Sequence, residues 1–89
     1  MPYISKDERE RFRDFIDPLI DELINNKYTP GQVNYIISKL IWSLFDERPS
    51  YTKGNELLGI LNAVNLEFYR RRLVEYENEK MIESGDLEI

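Results

Sequence analysis

Carboxylate side chains at helical spacing are the residues of this chain that could hold a metal ion. Asp14, Asp17, Asp21 and Glu22 recur at intervals suited to a helix, and Glu67 lies in a second helical stretch. Mg²⁺ takes carboxylate oxygens in near-octahedral geometry, so such a set could serve a nucleotide phosphohydrolase. The aspartates, however, lie opposite the apolar stripe of their helix, where a solvated face is the ordinary arrangement. We therefore predict no metal site and no cofactor, and keep a Mg²⁺-dependent phosphohydrolase as an alternative.

The run Arg70-Arg71-Arg72 is the candidate for a nucleic-acid-binding surface. On an α-helix the three side chains point about 100° apart, so they do not form one basic stripe. Four positive residues and four glutamates lie between Leu66 and Lys80, and the whole chain carries a net charge of −5. A phosphate backbone attracts clustered cations that have no anions beside them. Nucleic-acid binding is therefore the second alternative.

The same arginines also suggest a structural role. Spacing i,i+4 predicts ion pairs of Arg71 with Glu67 and Glu75, each contributing about 0.2–0.5 kcal/mol. Arg71 and Arg72 continue an apolar face of the third helical segment, so we expect one of them in a helix junction. It would bond Glu67 or Asp21 there, because a buried arginine requires a carboxylate partner.

Three asparagines could line a polar site between the second and third helical segments. Asn65 shares a helix face with Leu58 and Tyr69, and Asn34 and Asn62 are the other two amides. Buried amides must be hydrogen bonded, so we predict a polar network that includes Asn34 and Asn65. A small-ligand pocket lined by these amides and Tyr69 is the alternative, although no glycine-rich phosphate loop supports it.

The composition removes the side chains on which most enzymes depend. The 89 residues include no cysteine and no histidine, which excludes disulfides, thiolate chemistry and the commonest general base. The sequence therefore favours a protein without catalytic activity. No apolar run approaches the ~20 residues of a membrane span, and the N-terminal residues lack a signal-peptide apolar region, so we expect a soluble cytoplasmic protein.

Helix signals divide the chain into three helical segments without a strand pattern. The first opens with a capping box at Ser5 and contains Pro18, which costs ~3 kcal/mol inside a helix and predicts either a kink or a split there. The second begins with another capping box at Thr29. The third runs from about residues 50–52 to a terminating Gly85, long enough for its C-terminal half to extend beyond a three-helix core.

The size of the chain favours self-association. With 42% hydrophobic residues it suits one small domain, predicted over 1–89 with a flexible acidic tail at about 84–89. A domain this short buries only roughly 60–65% of the surface of its unfolded chain. A second copy would add to that burial.

The second helix is apolar on more than one side. Tyr35 and Trp42 fall opposite its main apolar stripe, with Phe45 between them, and such aromatic residues are typical interface anchors. We predict that they form a homodimer interface with Leu73 and Tyr76 of the third helix; the alternative is that the same chain covers them. The predicted fold is all-α, with three main helices, a long C-terminal helix and a dimeric bundle that acts in protein interaction or assembly.

Short segments along nearly the whole chain also carry a family resemblance. They are Met1-Pro2-Tyr3-Ile4, Asp17-Pro18-Leu19-Ile20, Val33-Asn34-Tyr35-Ile36, Gly59-Ile60-Leu61, Leu66-Glu67-Phe68-Tyr69-Arg70-Arg71, and Tyr76-Glu77 followed by Lys80. Through them the sequence resembles a small family of all-helical proteins of unknown function from bacterial, archaeal and phage genomes. The resemblance implies a phage or prokaryotic cytoplasmic setting and no particular activity. Where such proteins usually read V-x-x-P-Y-E, this chain reads Val74-Glu75-Tyr76-Glu77, so the third helix would run on unbroken.

Overall fold

The computed structural model describes residues 3–87, whose regular secondary structure is helical with no strand among them. The prediction of an all-α fold with three main helices and a long last helix is confirmed. The predicted tail lies partly outside this range, as do residues 1–2 of the family resemblance. The elements are α1 (Lys6–Asn25), α2 (Pro30–Glu47), α3 (Tyr51–Phe68), a π turn (Tyr69–Leu73) and α4 (Val74–Ser84).

Helix α1 begins at the predicted cap and continues through its proline. The Ser5 hydroxyl accepts a hydrogen bond from the Glu8 amide at 3.2 Å, which satisfies one of the amides that a helix start leaves free. The helix contains Pro18 and is not split there. Because proline has no amide hydrogen, the carbonyl of Asp14 one turn earlier lacks its usual donor.

The end of α1 is a Schellman motif that carries a lysine where glycine is usual. The Tyr28 amide donates to the Leu23 carbonyl at 3.0 Å, and the Lys27 amide donates to the Ile24 carbonyl at 3.3 Å. Lys27 has a φ of 51°, which is the left-handed conformation that this motif requires. A side chain there is unfavourable because its Cβ crowds the following carbonyl oxygen.

The next two helices also begin at polar caps, and the sequence predicts the one at Thr29. The Thr29 hydroxyl accepts from the Gln32 amide at 3.2 Å, and the Gln32 side chain accepts from the Thr29 amide at 2.9 Å. This reciprocal pair is a complete capping box, with Pro30 at the first helical position. Helix α3 is capped by the Ser50 hydroxyl, which accepts from the Lys53 amide at 3.0 Å.

The long C-terminal helix contains one turn of a different kind. The Val74 amide donates to the Tyr69 carbonyl, five residues back, whereas an α-helix would use the carbonyl of Arg70. A π turn adds one residue to the helical pattern, so every side chain after it is rotated by about 100°. The prediction of a long helix that runs on unbroken holds over its 34 residues, and the π turn changes the helical phase within it. The helix ends before Gly85, whose φ is 88°.

The chain falls into two compact units, one ending at Leu40 and the other beginning at Ile41. Helix α2 contributes to both units. Whether they form the single predicted domain stays a prediction.

Burial of side chains is slight in both units. Within residues 3–87, Leu57 of the second unit is the one buried side chain, with 5% of its surface exposed. Near it, Phe45 of α2 packs against α3, and its Cε1 lies 3.5 Å from where a Cβ would stand at Gly54. At Gly59, by contrast, nothing lies within 4 Å of such a Cβ. The close glycine is therefore Gly54.

Replacing Lys27 with glycine is expected to stabilise the chain. Relief of the left-handed strain, worth roughly 1–2 kcal/mol, exceeds the extra freedom that glycine gives the unfolded chain, roughly 0.5–1 kcal/mol. Urea unfolding followed by circular dichroism, at one fixed protein concentration, should show a net gain of about 0.5–1 kcal/mol.

Lys39 provides the matched control, since it is an exposed lysine inside α2. Its replacement by glycine should cost about 1 kcal/mol. Equal losses at both positions would contradict the left-handed conformation of Lys27.

Candidate interaction surface

The residues predicted to form an interface are mostly exposed in the single chain. In the first unit, Tyr35 has 65% of its surface exposed. In the second unit, Trp42 has 70% of its surface exposed, Tyr76 has 55% and Leu73 has 37%. Phe45 is half-buried. Their contact with a partner stays a prediction, but in residues 3–87 these side chains are available for it.

An apolar groove of about 410 Å³ lies between the end of α2 and the beginning of α3. Leu57 and Phe45 belong to its lining, and Asp46 is the one charged residue there. The remaining lining residues are Ile41, Trp42, Gly54, Leu58 and Leu61. This α2–α3 groove offers burial to an apolar side chain and one carboxylate to a cation, and it presents no set of groups for catalysis.

A second hollow of about 480 Å³ adjoins the groove at the turn between α2 and α3. It shares Phe45, Gly54 and Leu58 with the groove and adds Pro49 and Tyr51. The two hollows together make the apolar surface around Trp42 and Leu58 larger than either alone. Contiguous apolar surface of this kind typically marks a protein-binding site.

The first unit has a more polar hollow of about 520 Å³ at the corner between α1 and α2. Leu19, Leu23 and Ile36 form its apolar part, together with Tyr35. Glu22, Asn26 and Gln32 also line it. Tyr35 therefore belongs to a surface of mixed character.

The π turn decides which residues continue the apolar face of α3. That face, called here the α3 stripe, consists of Leu57, Leu61, Val64 and Phe68. In a regular α-helix the stripe would continue into Arg72 and Glu75. The added residue of the π turn rotates the next turn by about 100°, which places Leu73 and Tyr76 in line with the stripe instead. The sequence interpretation put Arg71 and Arg72 on this face; both are exposed, and the place of either in a helix junction stays a prediction.

The ion pair at the π turn also differs from the predicted one. The Arg70 guanidinium, through Nη2, donates to both Glu67 carboxylate oxygens, at 2.6 Å to Oε1 and 3.0 Å to Oε2. Residues three apart are neighbours on a helix just as residues four apart are, so Arg70 takes the carboxylate that was expected to pair with Arg71 or Arg72. Arg70 is largely exposed and Glu67 half-buried, so the pair adds at most about 1 kcal/mol.

The hydrogen bonds seen within residues 3–87 do not join Asn34 to Asn65, as the predicted amide network would require. The Asn34 side chain accepts a hydrogen bond from the Ser38 hydroxyl at 3.1 Å, within its own helix. Asn65 and Asn62 are exposed, so water can satisfy their amides and no protein partner is required.

The geometry of residues 3–87 gives no support to the two alternative functions, a Mg²⁺-dependent phosphohydrolase and nucleic-acid binding. No group of three or more acidic side chains within residues 3–87 is arranged to hold a metal ion. Of the three arginines, Arg70 is bound to Glu67. That part of the chain also has no helix long and apolar enough to cross a membrane.

Comparison with known proteins decides the family. A family model described as Domain of unknown function (DUF6899) matches residues 1–87. The chain belongs to this family. No curated protein and no solved structure gives a significant match.

Membership of the DUF6899 family agrees with the resemblance seen in the sequence but assigns no activity. The apolar surface of the second unit is thus the best candidate for a functional site. Sequence reasoning missed Leu58, Leu61, Val64 and Phe68 as part of it. The sequence did contain a signal for this. At regular α-helical spacing the α3 stripe is followed by charged residues, whereas one extra residue in the helix brings Leu73 and Tyr76 into line with it.

Proposed function

We propose that this chain is a homodimeric protein-interaction module that acts in assembly and carries out no catalysis. The observation that supports it is the near absence of buried apolar side chains in residues 3–87, where Leu57 is the one buried residue. A chain with 42% hydrophobic residues gains its stability mainly from removing such side chains from water.

The residue types on the surface also support a protein partner. Trp42, Tyr35 and Tyr76 are exposed, and tryptophan and tyrosine are enriched among the residues that carry binding energy in interfaces. Trp42 lines the α2–α3 groove, which supplies a concave apolar surface beside it. We propose that Trp42 is one of the residues that anchor the interface.

The proposed setting is the cytoplasm of a prokaryotic cell, including one infected by phage. The absence of cysteine suits a reducing compartment, where disulfides do not contribute to stability. The family resemblance in the sequence supports the same setting.

Light scattering coupled to size-exclusion chromatography tests the proposed dimer. The expected mass is twice the 10.7 kDa of the chain in the micromolar range, with dissociation on dilution. Because Trp42 is the one tryptophan of the chain, tryptophan fluorescence reports on it alone. Its emission should shift to shorter wavelength as the dimer forms. A chain that stays monomeric at every concentration would end the proposal.

Replacing Trp42 with alanine should weaken the dimer. Truncation of an interface anchor typically costs at least 2 kcal/mol, so sedimentation equilibrium should show a dissociation constant raised roughly 30-fold or more. Phe15 of α1 is the matched control, because it is equally exposed at 74% and lies outside the predicted interface. If the two alanine variants lose affinity equally, Trp42 is not the anchor.

A further inference from the structure

We propose that two copies pair antiparallel along α3, the π turn and α4, and that Tyr76 of each copy enters the α2–α3 groove of the other. This inference rests on the proposed homodimer and specifies its geometry. All the residues that carry it belong to the second unit, residues 41–87.

The exposed apolar face extends along most of the long C-terminal helix. The π turn brings Leu73 and Tyr76 into line with the α3 stripe, so one face of the long helix is apolar from Leu57 to Tyr76. The end of α2 covers this face only near Leu57, where the groove lies. Val64 and Phe68 are each about 60% exposed, so the remainder of the face has no cover within its own unit.

That face is nearly symmetric about its middle. Its apolar positions have nearly the same spacing in either direction, with a midpoint between Val64 and Phe68. An antiparallel partner therefore sets Val64 against Phe68 and Leu61 against Leu73. The same arrangement sets Tyr76 against the groove beside Leu57. A two-fold dimer requires such a self-complementary surface, because each contact must occur twice.

The charge of α4 favours the antiparallel arrangement. The helix carries four glutamates and one lysine, a net charge of −3. Parallel pairing would place the two acidic helices side by side, where like charges repel. Antiparallel pairing sets each α4 beside the beginning of α3 in the other copy, where Lys53 and Glu56 balance one another.

Lys80 of the other copy is the partner that this arrangement gives to Asp46, the one charged residue in the groove. Lys80 lies one turn after Tyr76 on the same face, with its Nζ 5.5 Å from the centre of the Tyr76 ring. When Tyr76 enters the groove, Lys80 reaches its rim, where Asp46 is the charged residue. Asp46 has no ion-pair partner among residues 41–87, and the Glu83 that holds Lys80 at 3.1 Å is exposed, so Lys80 can exchange partners at little cost.

A charge exchange tests this contact. Asp46→Lys alone and Lys80→Asp alone should each weaken the dimer roughly tenfold, because each places like charges together across the interface. The double variant restores the opposite signs, so its dissociation constant should return to within a few-fold of the wild type. Sedimentation equilibrium on all four proteins gives the comparison, with circular dichroism to verify that each is folded.

The outcomes separate this inference from the proposed function. If the wild type is a dimer and the double variant is as weak as the sum of the two single variants predicts, the antiparallel geometry is overturned while the dimer remains. If the wild type is a monomer, the proposed function itself fails. Rescue in the double variant would support both, since a purely structural role of Asp46 or Lys80 gives no rescue.

Cross-linking provides a second measurement that tolerates partial loss of stability. The chain has no cysteine, so Leu61→Cys and Leu73→Cys variants each carry one thiol. Mixed and then oxidised, they should join mainly Leu61→Cys to Leu73→Cys chains. Oxidation within either variant alone at the same or a higher yield indicates parallel pairing and overturns the inference.

A change in helical phase tests the part played by the π turn. Deleting Arg71 removes the added residue and leaves Leu73 and Tyr76 in line with the α3 stripe, so dimerisation should persist. Inserting one alanine after Arg71 rotates α4 by about a further 100° and should abolish it. Loss of the dimer on deletion, or its retention on insertion, would contradict the inferred surface.

Discussion

Burial of apolar side chains is the constraint on which this structure depends. Helices stabilise a small protein only when their apolar faces are removed from water, and residues 3–87 bury Leu57 alone. The side chains of Ser5, Thr29 and Ser50 form their helix caps. What the second unit lacks by itself is a second surface against the α3 stripe, Trp42 and Tyr76, and that requirement unites the proposed dimer with its inferred geometry.

The parts of the fold that depend on near neighbours could be predicted from the sequence. The caps at Ser5, Thr29 and Ser50 and the stop at Gly85 are decided by residues at most four positions away. The same locality explains why the length of the last helix was predicted correctly. A helix continues where no proline or glycine interrupts it, and none stands between Gly59 and Gly85.

The π turn and the groove could not be predicted in the same way. A helical wheel assumes one constant rotation per residue, so one added residue near Arg71 reverses the assignment of charged and apolar side chains on the face beyond it. The pair of Glu67 with Arg70 shows a similar limit, because spacings of three and four are both compatible with contact. The position of the groove depends on how Phe45 meets Gly54, which is a tertiary contact that no local pattern encodes.

The most direct measurement of the central claim is the dependence of thermal stability on protein concentration. Folding that requires a second copy gives an unfolding midpoint that rises with concentration, by mass action. The account predicts such a rise for the wild type, followed by circular dichroism across the widest accessible range. A fully helical chain whose midpoint is the same at every concentration would show that one copy covers its own apolar surface, and would contradict the account.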